Sequence, residues 1–171
     1  MIYTLFANHM VYDIDRPEWC NRDRFVLSAG HGSALLYATI YATTGDFSID
    51  DLKKYRHINS QTPGHPELNI KKRIEATTGS LGQGFATAVG MAIAEKHLES
   101  KYNTKKLTLF NYNTYCLCSD GDLLEGISYE AASLAGEYKL NNLIVLYDAN
   151  KMTLDGALDK DYNEKIANMY A

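Results

Sequence analysis

The sequence predicts an α/β fold, a parallel sheet with helices on both faces. Two apolar runs and the helical stretch between them carry that prediction. Tyr115-Cys116-Leu117-Cys118 ends in Ser119-Asp120-Gly121, and Leu143-Ile144-Val145-Leu146-Tyr147 ends in Asp148-Ala149-Asn150. Each run reads as a short buried strand. Between them, Leu123 to Tyr138 reads as one helix, with Leu124, Ile127, Ala131, Leu134, Ala135 and Tyr138 at helical spacing. Strand, helix and strand over about 35 residues form a βαβ unit, whose crossover is right-handed and whose strands run parallel. Parallel strands end on one edge, so Asp120 and Asn150 are expected to meet at the carboxyl edge, where open α/β sheets bind ligands. A carboxylate, an amide oxygen and nearby carbonyls make a hard oxygen site suited to Mg²⁺ or Ca²⁺ carrying phosphate. The purely structural alternative is that Asp120 caps the following helix and Asn150 makes a left-handed turn.

The other elements follow in chain order. Ile2 to Met10 reads as a helix, followed by the polar turn Asp13-Ile14-Asp15-Arg16-Pro17. Phe25-Val26-Leu27 reads as a buried strand that stops at Ser28-Ala29-Gly30-His31-Gly32, and a helix is expected from about Ser33 to Thr43, with Ser33 as a possible N-cap. Ser48 with Asp51 has capping-box spacing for a helix through Arg56. Asn59 to Arg73 is a long polar loop centred on Thr62-Pro63-Gly64-His65-Pro66-Glu67, and loops of that length in compact domains are usually functional. Beyond Thr77-Thr78-Gly79-Ser80-Leu81-Gly82-Gln83-Gly84 lies an amphipathic helix. Phe85, Ala88, Val89, Ala92 and Ile93 lie on one side, with Glu95, Lys96 and Glu99 elsewhere. Lys101 to Tyr112 is a polar excursion, and Lys160 to Ala171 begins another helix. Because the chain opens inside an apolar helix and stops after this one, it is expected to be part of a longer polypeptide.

Bulk properties exclude some classes. At 171 residues, 46% hydrophobic and 22% charged, one domain can bury roughly 70% of its unfolded surface. A formal charge of −4 and a pI near 5.7 argue against nucleic acid, which requires a basic face. No apolar stretch reaches the roughly 20 residues that span a bilayer, and the N-terminus lacks the basic start of a signal peptide. Cys20, Cys116 and Cys118 are expected to be buried reduced thiols in a cytoplasmic protein, the last two facing opposite sides of their strand and so unbridged.

Candidate site residues cluster at the predicted carboxyl edge. Gly79 to Gly84 opens a helix, where backbone N–H groups approach an anion and the helix dipole favours it, though glycines also serve tight packing. The segment has neither dinucleotide-fold nor P-loop spacing. His31 sits in a strand-to-helix turn, and His65 is stiffened between Pro63 and Pro66. Glu125 and Glu130 lie near a helix start, where the dipole alone could account for them. His9, His57 and His97 have no partner pattern.

Taken in order, these segments resemble the thiamine-diphosphate (ThDP) domain of the transketolase family. The matching residues are Asn21 through Ser28, Gly30-His31-Gly32, Thr62 through Glu67, Thr77 through Gly84, Asp120-Gly121 with Leu124 through Ser128, and Leu143 through Gly156. The TPGHPE and TTGxLGQG segments are together highly specific. The resemblance implies that residues 1–171 are a ThDP-binding fragment, with pyrimidine-binding and C-terminal domains outside it. It implies Asp120, Asn150 and the Met152 carbonyl as metal ligands, and the Gly121 amide and His31 as diphosphate contacts. Gly79, Ser80 and Leu81 would lie on the aminopyrimidine side, and His65, with His31, would act at the substrate. Glu125 would sit beside the cofactor at a subunit boundary. The implied activity is transfer of a two-carbon ketol unit between sugar phosphates by a homodimer. Three departures stand out: Ser119 replaces the usual Gly before the metal-binding Asp, Ser80 the usual Pro, and Ala149 an acidic residue or Asn. Rival readings are dihydroxyacetone synthase, one chain of a split transketolase, or a non-catalytic module; a deoxyxylulose-phosphate synthase should lack the TPGHPE loop.

Overall fold

The computed structural model describes residues 1–153, 156, 157 and 170. Three parallel strands form its centre: β1 (Arg24–Leu27), β2 (Thr114–Ser119) and β3 (Leu143–Asp148), in spatial order β1-β2-β3. The register sets Leu27 beside Leu117 and Ser119 beside Asp148. All three following turns therefore emerge at one edge, as the parallel reading requires.

The helices are α1 (Ile2–Asn8), α2 (Ser33–Thr43), α3 (Ile49–Lys53), α4 (Gln83–Tyr102), α5 (Asp120–Leu124) and α6 (Gly126–Glu137). A small antiparallel pair, β4 (Met152–Thr153) with β5 (Gly156–Ala157), follows the sheet. Strand alternation assigns the helices to faces. Phe25, Leu27 and Leu117 pack with α1 and α2 residues such as Phe6, Leu36 and Tyr37. Val26, Cys116 and Cys118 pack instead with Phe85, Val89 and Ala92 of α4 and Ala131 of α6. The sheet is thus covered on both faces. Among the described residues no helix is long and apolar enough to cross a membrane.

Several expectations need correction. The helix expected over Leu123 to Tyr138 is two helices, because Glu125 is extended (φ −72°, ψ 139°) and serves as the N-cap position of α6. The apolar period runs on through this break, so only the close seating of Gly82 against Glu125 and Ile127 marks it. β3 is half-buried rather than buried, with Val145 40% exposed. α3 ends before Arg56, which adopts a left-handed backbone (φ 63°), while its capping box at Ser48 and Asp51 forms as read. The long loop is interrupted by a 3₁₀ turn at Ile70–Lys72.

Cys116 and Cys118 do not face opposite sides. Residues two apart in a strand share a face, and their Sγ atoms lie 3.6 Å apart. Cys20 is exposed rather than buried. Glu95 sits inside, because Asn142 reaches it with Nδ2 at 2.8 Å. The helix expected from Lys160, and Asp155 of the last matching segment, lie outside the described residues.

Candidate functional site

The turn after β1 is shaped by contacts that exclude side chains. A Cβ on Gly30 would lie 2.8 Å from the Gly79 nitrogen, and one on Gly84 would lie 2.5 Å from the Ser28 Cα. Both glycines are therefore demanded by sterics, and the turn after β1 and the start of α4 share backbone contact. Gly79 (φ +151°) and Gly82 (φ +76°) also hold backbone conformations that side chains rarely adopt.

The Thr62–Glu67 loop is strapped to the same edge from beneath. Ser33 Oγ donates to the Gly64 carbonyl at 2.7 Å rather than capping its own helix, and the Tyr37 hydroxyl donates to the Pro63 carbonyl at 3.0 Å. Thr62 Oγ1 donates to the Asp51 carbonyl at 2.7 Å, and the Thr78 amide donates to the Pro66 carbonyl at 3.1 Å. These bonds carry the His65 ring against Gly79, where an added Cβ would meet the ring at 3.2 Å. His31, next to Gly30, and His65 are both exposed at this edge. A buried ion pair steadies the loop's return: Arg22 donates from Nε and Nη2 to the two Glu75 oxygens, each at 2.9 Å.

The turn after β2 supplies Asp120, fully buried. One of its oxygens accepts from the Tyr147 hydroxyl, and the other accepts from the Lys151 amide at 2.7 Å. No described cationic side chain pairs with it. Burial, and then the Asp120 carboxylate, push the Tyr147 phenol well above its usual range. Gly121 lies beside Leu81, whose Cδ1 is 3.1 Å from where a Gly121 Cβ would stand. Ser80 of the same loop is exposed, as is Glu125.

The turn after β3 reaches Asp120 through its backbone. Asn150 donates from Nδ2 to Asp148 Oδ2 at 3.1 Å and accepts the Met152 amide at Oδ1 at 2.9 Å. The left-handed residue of this turn is Lys151 (φ 62°), not Asn150. Nor does Asp120 occupy the cap position; it is the first residue of α5, and Ser119 is the N-cap. β4, which begins with Met152, runs beside α5.

The sequence reading missed Asp122, which is fully buried behind the site. Its Oδ1 accepts from Ser28 Oγ at 2.8 Å and the Gly82 amide at 3.0 Å, and its Oδ2 accepts from the Ser119 amide at 3.0 Å and Ser119 Oγ at 2.9 Å. The spacing Ser119-x-x-Asp122 is a capping-box signal that could have revealed it. It also gives the departure at Ser119 a physical partner.

The residues present fit a divalent cation carrying diphosphate. Each Asp120 oxygen uses one acceptor site and keeps another, and a buried carboxylate without a cationic partner calls for a counter-charge. With an amide oxygen and a backbone carbonyl nearby, the donors are all hard oxygens. A concavity of about 670 Å³ lies elsewhere, between β3 and α6, lined by residues such as Phe85, Leu123, Leu140 and Tyr147. Its walls are mostly apolar, so the loop edge, where the buried carboxylates and glycine turns meet, is the better candidate.

Comparisons with known proteins agree with this geometry. The family described as "Transketolase, thiamine diphosphate binding domain" matches residues 1–171. A transketolase of Geobacillus stearothermophilus is 53% identical over 170 residues, covering 99% of this chain and 25% of its own length. Transketolase from Leishmania mexicana superposes with a TM-score of 0.87 at 43% identity, covering 97% of this chain and 25% of that one. A Pichia stipitis transketolase in complex with sedoheptulose 7-phosphate gives 0.84 at 41% identity, covering 94% and 24%. The chain thus spans about a quarter of the length of the relatives it matches.

Proposed function

Since the chain belongs to the transketolase family through its thiamine diphosphate binding domain, we propose that it forms the diphosphate half of a ThDP site in a two-carbon ketol transferase. The donor would be a ketose phosphate and the acceptor an aldose phosphate, in keeping with the sugar-phosphate complex of the Pichia stipitis relative. One observation carries this reading: the Asp120-Gly121 turn, the glycine-rich loop and the His65 loop converge on one sheet edge.

Asp120, the Asn150 amide oxygen and the Met152 carbonyl would hold Mg²⁺ or Ca²⁺, and the Gly121 amide and His31 would bind the diphosphate. Gly79, Ser80 and Leu81 would face the aminopyrimidine with backbone groups, which a Ser in place of Pro leaves intact. His65, held by its flanking prolines and by Gly79, would orient a sugar hydroxyl or carbonyl and exchange a proton there. When bound, ThDP supplies the electron sink that lets a bond beside a ketone break. The chain's own residues contribute position and charge balance. Residues 1–171 would be one domain of a larger cytoplasmic homodimer, with the pyrimidine side of each site and Glu125's neighbour supplied by the partner subunit.

Thermal unfolding of the chain with and without ThDP and Mg²⁺ tests the reading, alongside Asp120→Ala. Ligand at 100 times its dissociation constant should stabilise the parent by about 2.7 kcal/mol and leave the variant unmoved. No shift in the parent, nor in a chain extended at both ends, would sink it.

A further inference from the structure

We propose that Asp122 is a positioning residue that fixes the spacing between the glycine-rich loop and the Asp120-Gly121 turn, and with it the affinity of the edge for a diphosphate. This rests on the cofactor reading above.

A buried carboxylate is a costly way to fill space, and no described cation offsets this one. Its charge is instead met by four donors from three separate segments: Ser28 after β1, Gly82 in the loop, and Ser119 at the end of β2. Its own carbonyl accepts from Ser128 Oγ at 2.5 Å, which adds α6 to the same point. Two of the four donors are backbone N–H groups, which cannot turn round. Ser28 Oγ is itself held by the Phe85 amide at 3.0 Å. A carboxylate accepts at every position and satisfies all four. A carboxamide cannot, because either orientation points its NH₂ at a backbone N–H. Asp122 therefore sets where Gly82, and with it Leu81, sits relative to Gly121.

The sign of the effect separates geometry from charge. A carboxylate next to the proposed diphosphate contact Gly121 repels the ligand, so removing its charge alone would tighten binding. Positioning predicts weaker binding.

The test titrates inorganic pyrophosphate with Mg²⁺, and ThDP with Mg²⁺, into the parent chain, Asp122→Asn, Ser28→Ala and Ser119→Gly. Calorimetry is run well below each unfolding temperature. Amide hydrogen exchange is followed at Leu81, Gly82 and Gln83 without ligand. Asp122→Asn should weaken both ligands by about 10- to 100-fold and speed exchange at Gly82, with a smaller loss in Ser119→Gly. Unchanged or tighter binding with an unchanged Gly82 amide overturns the proposal, however far the melting temperature falls. Should neither the parent nor a chain extended at both ends bind either ligand, the cofactor reading fails, while Gly82 exchange in Asp122→Asn still decides the positioning role. If Asp122→Asn does not fold, Ser28→Ala decides, because it keeps the charge and the Ser119 and Gly82 contacts but removes the Ser28 Oγ bridge from Asp122 to the Phe85 amide, which anchors the end of the glycine-rich loop at the start of α4. Weaker binding and faster exchange there support the proposal, and parent-like values overturn it.

Discussion

The turns after β2 and β3 supply the two halves of one proposed metal site, yet they are built differently. The first is buried and hydrogen-bonded throughout: Asp120 and Asp122 are fully enclosed, and Ser119 is tied to Asp122. The second lies in the open, with Asn150 exposed, Met152 54% exposed and the Asn150 side chain engaged, among the described residues, only within its own turn. One half of the site is thus pre-organised, whereas the other must be recruited by its ligand. Their parent strands differ in the same sense, since Cys116 and Cys118 of β2 are inaccessible while Val145 of β3 is 40% exposed. Pre-organisation lowers the cost of binding, so the buried turn should dominate affinity and the exposed turn should tune it.

Substitutions can break this asymmetry or sharpen it. The largest effect is expected at the contact beneath the buried side. Gly84→Ala drives a Cβ to 2.5 Å from the Ser28 Cα, and urea unfolding should show a loss of about 3 kcal/mol, the upper range for overpacking. Next is Cys116→Ser, which buries a hydroxyl in an apolar cluster and should cost about 2 kcal/mol in the same assay. On the exposed side, Asn150→Ala should weaken Mg²⁺-dependent ThDP binding by about tenfold without lowering the melting temperature, whereas Asp120→Ala abolishes it. Equal losses for the two would mean that the turns are not unequal partners. Smallest is Val145→Thr on β3, expected within about 0.5 kcal/mol of the parent by urea unfolding.

Much of the buried half was legible in the sequence, because local rules govern it. The apolar runs marked the strands, the parallel crossover fixed the shared edge, and glycine spacing marked the loop. The Ser48 and Asp51 pair formed the box that its spacing announced. Features set by distant partners were not legible. Glu95 is buried by Asn142, 47 residues away, and nothing in its own helix foretells this. The break at Glu125 is hidden by an apolar period that continues through it, and it becomes visible only where Gly82 seats against it. Asp122 was a different failure, because its capping-box spacing was present and went unread. The cysteine faces were likewise decidable from the strand's period of two.

The contact between Gly30 and Gly79 gives the edge a mechanical property. Two main chains touch there with no side chain between them, and Gly79 in turn bears on the His65 ring. Three separate segments, around Gly30, His65 and Gly79, are thereby geared together, with no flexible side chain to absorb displacement. A push of the glycine-rich loop toward either neighbour therefore bears on the turn that carries His31 and on the loop that carries His65. The edge responds to load as a single lever, not as three independent fingers.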